Sequence, residues 1–121
     1  MARIVHLAMK VEDIDKASEF LSRVFGFTQI KIPGLRNTVR YLSDGTVHIA
    51  INQSRGGKHE EPCIDHIGIE VDDVASCIAE VSKYGCEVVS EPGKAVKFRA
   101  PDGIIVEAVP KGSKPGIGEG S

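Results

Sequence analysis

Residues 4–14, IVHLAMKVEDI, align without a gap on residues 64–74, IDHIGIEVDDV. Ile4 meets Ile64, His6 meets His66, Val11 meets Val71, and the acidic pairs Glu12-Asp13 and Asp72-Asp73 coincide. A duplication of this kind constrains the fold more than any other feature, because each copy must build a similar supersecondary unit. Both stretches are rich in β-branched apolar residues, the composition of a strand packed into a core. A histidine in the middle of each is the anomaly to be explained.

Each copy continues with helical spacing. Ile14, Ala17, Leu21, Val24 and Phe25 form one apolar stripe, and Val74, Cys77, Ile78, Val81 and Tyr84 another. Asp13 and Asp73 are expected N-caps, and Gly26 and Gly85 expected stops. Three strand-like runs follow each helix: 27–32, 38–43 and 47–52 in the first half, 86–91, 95–100 and 104–109 in the second. PGLRN and EPGK supply turns, and Asp44-Gly45 and Asp102-Gly103 are strong hairpin signals. The sequence therefore predicts an α+β fold of two tandem βαβββ modules, residues 3–52 and 63–110, in one domain spanning 1–110. The polar, Gly-rich stretch 53–62 links them, and residues 111–121 read as a flexible tail without core material. A unit of this size cannot cover both faces of its own sheet, so the two must pair, within one chain or across a dimer.

Composition narrows the partners. With 15 Lys and Arg against 17 Asp and Glu, scattered along the chain, nothing marks a nucleic-acid or membrane surface. No apolar run is long enough to span a bilayer, and the first residues do not resemble a signal peptide. Cys63, Cys77 and Cys86 form no CxxC pair, which fits a reducing cytoplasm rather than a disulfide framework. Cys77, on the helix stripe, is expected in the core.

The last run, IIVEAV, places Glu107 among apolar residues. A buried carboxylate is expensive unless paired, and a divalent metal is one partner that satisfies it. Three strands thus carry a metal-competent residue with apolar flanks: His6, His66 and Glu107.

In this order and duplication the chain resembles the vicinal oxygen chelate superfamily, which includes glyoxalase I, extradiol dioxygenases and bleomycin-resistance proteins. The resemblance covers about residues 3 to 110. It rests on the doubled strand-helix-strand-strand-strand order, on VHLAMKV and DHIGIEV, and on the closing APDGIIVEAV. It implies a curved, barrel-like mixed sheet with helices outside, and metal ligands at His6, His66 and Glu107. Two histidines and a carboxylate suit Fe(II) first, with Ni(II), Zn(II), Co(II) or Mn(II) also accommodated. Open positions would take neighbouring oxygens of a small-molecule substrate. Glyoxalase I relatives add a fourth ligand from the last strand of the first half, but here that strand is VHIAIN. Counted from the Asp-Gly turn, Glu107 matches Ile49, whereas alternation would turn Val47, Ile49 and Ile51 under the helix and His48, Ala50 and Asn52 into the cavity. His48 is therefore read as a pocket residue or fourth ligand, and no catalytic residue is assigned.

Simpler readings stand beside these. A strand histidine taken alone is more often a hydrogen-bonded structural residue than a ligand. His59 lies in the charged linker and reads as solvated. Arg40, Lys97 and Arg99 could meet an anionic substrate, or protect sheet edges as isolated charges do. Glu70 is assigned nothing. Two classes of function remain. The first is a metal-dependent enzyme, with dioxygenase-type chemistry ahead of glyoxalase-type lyase or isomerase chemistry because only three ligands are in view. The second is a metal-free drug-binding protein. The absence of tryptophan, with two tyrosines and four phenylalanines, supplies little for stacking a planar drug. A cytoplasmic homodimer is expected, because half-sheets of this fold close against a second chain.

Overall fold

A computed structural model of the chain describes residues 2–54, 61–91 and 93–113. The linker residue His59 and most of the predicted tail lie outside them. The described chain has eight main strands and two α-helices, with mixed parallel and antiparallel pairing. It divides into two compact units, one of residues 6–65 and one of residues 66–121 with residues 1–5.

The first unit holds β1 (Arg3–Val11, apart from its first residues), α1 (Ile14–Phe25), β2 (Thr28–Ile30), β3 (Val39–Ser43) and β4 (His48–Gln53). β1 runs parallel to β4, and β2, β3 and β4 form an antiparallel meander. Asp13 caps α1 as expected, its carboxylate accepting from the backbone N–H groups of Asp15 and Lys16, each at 3.0 Å. Gly26 ends the helix at φ 73°, donating to Ser22 at 2.9 Å. Ile14 of α1 is buried with Leu42 and Ile51 of the sheet, joined by Met9, Val11, Ala17, Leu21, Phe27 and Ile49. Leu42 and Ile51 have no exposed surface. Gln53 ties β4 to the helix start, accepting from the Ile14 N–H at 3.3 Å and donating to the Glu12 carbonyl. Val24 and Phe25, expected on the buried stripe, are exposed, with the Phe25 ring against those of Phe20 and Phe27.

The second unit repeats the plan with β5 (Cys63–Val71), α2 (Val74–Ser82), β6 (Glu87–Val88), β7 (Val96–Arg99) and β8 (Ile105–Pro110). β5 runs parallel to β8, and β6, β7 and β8 pair antiparallel. Asp73 caps α2, accepting from Ala75 N–H at 3.1 Å and from the Ser76 hydroxyl at 2.7 Å. The helix stops at Ser82, short of Gly85. Lys83, Tyr84 and Gly85 instead donate three residues back in a tightened last turn. That turn carries Tyr84 outward, so the expected end of the apolar stripe is exposed. Cys77 is only half-buried, and burial pushes its thiol pKa up. Arg3 of the opening segment pairs with Glu70 at 3.3 Å, and Glu70 also accepts from Gly112 N–H at 3.0 Å.

The two Asp-Gly turns differ from simple two-residue hairpin loops. Residues 44–47 form a four-residue loop between Ser43 and its partner His48. Asp44 organises it by accepting from Thr46 N–H at 2.8 Å and Val47 N–H at 2.7 Å, with Gly45 at φ 105°. Residues 100–104 form a five-residue loop between Arg99 and Ile105, wound into one 3₁₀ turn at Pro101–Gly103. The second loop is therefore one residue longer.

Candidate metal centre

In the second unit, Gly68 on β5 stands opposite Glu107 on β8, and His66 lies two residues before Gly68. Side chains two apart on a strand share a face. His66 and Glu107 accordingly meet, with Nε2 to Oε1 at 3.6 Å and side-chain exposures of 4% and 2%. A carboxylate this deep is tolerable only with polar or cationic company, and the imidazole supplies part of it.

In the first unit, His6 on β1 stands opposite His48 on β4. His6 is buried, and the two rings lie 5.1 Å apart, tilted by 33°. The ring of Tyr41, buried on β3, is 5.9 Å from that of His48. Ile49 and Ile51 pack on the opposite face under α1, while Ala50 joins Ala8, Val39 and Tyr41 in a separate buried cluster. His48 thus shares the face of His6, as alternation along the strand implied.

Counting from the Asp-Gly turns was wrong. Ala8 pairs with Ala50 and Gly68 pairs with Glu107, and Ala8 and Gly68 each follow the strand histidine by two. The internal counterpart of Glu107 is therefore Ala50, neither Ile49 nor His48. The mismatch arises because Asp44 opens the first loop whereas Asp102 is the third residue of the second, so His48 lies four positions after Asp44 but Ile105 only three after Asp102. Tyr41 was missed altogether. Its signal lay in the hairpin register, which sets it beside Ala50, one strand from His48.

His6, His66 and Glu107 each offer a ligand atom from a buried side chain. Two neutral imidazoles and a carboxylate are a donor set that fits a first-row divalent cation. Of the basic strand residues, Arg40 donates to the carbonyls of Asn37 and Val39 and pairs with Asp15 at 3.3 Å. Arg99 pairs with Glu87 at 3.7 Å. Among the described residues no helix is long and apolar enough to cross a membrane.

The family model of the Glyoxalase/Bleomycin resistance protein/Dioxygenase superfamily matches residues 3–108. The chain belongs to this superfamily. Among curated superfamily proteins, it is 26% identical over 129 residues to a lactoylglutathione lyase of Arabidopsis thaliana, covering 93% of this chain. It spans only 46% of that longer enzyme. It is 25% identical over 123 residues to a probable lactoylglutathione lyase of Vibrio cholerae, covering 88% of this chain and 89% of the relative. Among solved structures, a hypothetical protein of Bacillus halodurans superimposes with a TM-score of 0.76 at 18% identity, covering 93% of this chain and 96% of that one. The Mn(II)-bound glyoxalase of Novosphingobium aromaticivorans gives 0.71 at 23% identity, over 91% of this chain and 40% of that one. These likenesses show that the superfamily fold is shared, as the doubled βαβββ order implied. They also show that divalent-metal-bound members occur within it.

Proposed function

We propose that the chain is a divalent-metal-dependent enzyme of the glyoxalase type, with His6, His66 and Glu107 as the metal ligands and His48 as the proton-carrying group. The buried His66–Glu107 pair carries the ligand part of this reading, because two buried ligand-type groups at 3.6 Å match a shared cation. His6 occupies the matching strand position in the first unit and is equally buried. A bound divalent metal supplies Lewis-acid chemistry to two neighbouring oxygens of a small substrate. The chain's own residues do the rest. His48 takes and returns a proton at the carbon beside those oxygens, and Tyr41 packs against the imidazole and limits its rotation. Lyase or isomerase chemistry stands ahead of dioxygenase chemistry, because one curated relative is a lactoylglutathione lyase and another a probable lactoylglutathione lyase, and a histidine base shares the face of His6. The dioxygenase reading keeps one observation in its favour: Ala50 holds the counterpart position of Glu107, so that position supplies no carboxylate as a fourth ligand.

Elemental analysis of anaerobically purified protein is the first test. Near-stoichiometric metal, lost in His66→Ala, is the expected result. Metal-free protein that also refuses reloading would leave a binding protein with structural histidines. Lactoylglutathione incubated in D₂O with the loaded enzyme should then exchange its α-proton. His48→Gln should keep the metal and slow exchange by about 10²–10⁴-fold. Oxygen uptake with catechols and no exchange would reverse the order of the two chemistries. A homodimer is part of the proposal, and light scattering that reports only monomer removes it.

A further inference from the structure

Lys97 stands apart from the other cations on the hairpin strands. Arg40 and Arg99 are committed to carbonyl and carboxylate partners. The Lys97 ammonium makes no ion pair or hydrogen bond among the described residues. Edge protection does not account for it. Its backbone is satisfied on the side away from β8, with its N–H donating to the Ser90 hydroxyl at 2.9 Å and its carbonyl accepting from Val89 N–H at 2.9 Å. An open edge at this point, the situation in which a lysine deters strand pairing, does not exist.

Register places Lys97 directly opposite Glu107 on the neighbouring strand. Directly opposed residues of an antiparallel pair leave the sheet on the same face, with the strands about 4.8 Å apart. Lys97 is half-buried there, while Glu107 and His66 are buried. A compact cation on a flexible four-carbon stem is thus anchored one strand away from a candidate metal ligand. With a divalent cation on Glu107, the local charge is net positive even before the ammonium is counted.

We infer that Lys97 is a specificity-determining residue that binds a second anionic group of the substrate, a few bonds from the oxygens that face the metal. The substrate class is an α-oxo or α-hydroxy compound carrying a remote carboxylate. The inference rests on the metal reading above and adds to it the charge of the substrate's far end. The first unit offers no equivalent, since the residue in the position of Lys97 is Tyr41, opposite Ala50.

Two five-carbon probes differing only in the remote carboxylate, 2-oxoglutarate and 2-oxopentanoate, test it by titration calorimetry on Mn(II)-loaded protein. The dicarboxylate should bind about tenfold tighter, the value of one charge-assisted hydrogen bond. Added salt should erode that preference. Lys97→Gln should lower 2-oxoglutarate affinity to that of 2-oxopentanoate and leave the latter unchanged, with metal content intact. Lys97→Arg should keep the preference. Equal binding of the two acids by the unsubstituted protein, or a preference that survives in Lys97→Gln, overturns the assignment and spares the metal reading. Failure of both acids to bind the loaded protein overturns the assigned substrate class, while the metal reading stands or falls by the elemental analysis above.

Discussion

The two units share a plan and differ where it matters. Opposed residues Tyr41 and Ala50 of the first become Lys97 and Glu107 in the second. The first pair is apolar packing, buried with Ala8 and Val39 and flanked by Ile30, Ile32 and Leu35. The second pair is charged, and one member touches a buried histidine. Beneath the helices the contrast repeats. Ile51 has no exposed surface under a twelve-residue α1, whereas its counterpart Ala108 lies in the unit whose helix is nine residues long and has no buried residue. The first copy holds the buried apolar clusters and a histidine pair, and the second holds the opposed ionisable groups. The lesson is that a duplicated fold can place its stability and its charge chemistry in different copies.

Core truncation gives the largest expected break in that contrast. Ile51→Ala should cost about 2–5 kcal/mol in chemical denaturation, as a cavity opens at a site with no solvent to fill it. Ile78→Ala on α2, half-buried, should cost about 1 kcal/mol. Equal losses would mean the first unit is not the better packed. Removing the α1 cap is smaller: Asp13→Ala gives up two backbone acceptor contacts and should cost about 1 kcal/mol.

Acid gives the smallest and most distributed effect. Glu70 is held below the usual carboxylate range by the Gly112 N–H and then by Arg3. Asp73 is lowered first by the Ser76 hydroxyl, and Asp44 by the Val47 and Thr46 N–H groups. A depressed folded-state pKa contributes stability above the unfolded value and loses it as pH falls through the folded one. The urea midpoint should therefore drop as pH falls below about 4. Glu70 and Asp73 belong to the second unit and Asp44 to the first. Hydrogen exchange should show the strand and helix starts of the second unit loosening first, and Glu70→Gln should flatten the dependence. Simultaneous loosening of both units would blunt the contrast.

Most of the plan was legible because it depends on local rules repeated twice. Strand alternation, helical spacing and two aspartate caps were all visible in a duplicated pattern, and His6 and His66 stood out because they broke it identically. The face of His48 was legible for the same reason, since alternation along one strand is local. Helix ends were less so. Val24, Phe25 and Tyr84 continue an apolar stripe in sequence, but how far a sheet extends beneath a helix is not a property of the helix.

By itself the sequence determined two βαβββ modules, their strand histidines and the oddity of Glu107 among apolar neighbours. Only tertiary structure decided which residues stand opposite one another. The Asp-Gly pair sits at different places in the two loops, which makes Ala50 rather than Ile49 the counterpart of Glu107, and the β7–β8 register sets Lys97 beside Glu107. Cross-strand register is settled by loop geometry and by burial on both faces at once, and neither can be counted along a single chain.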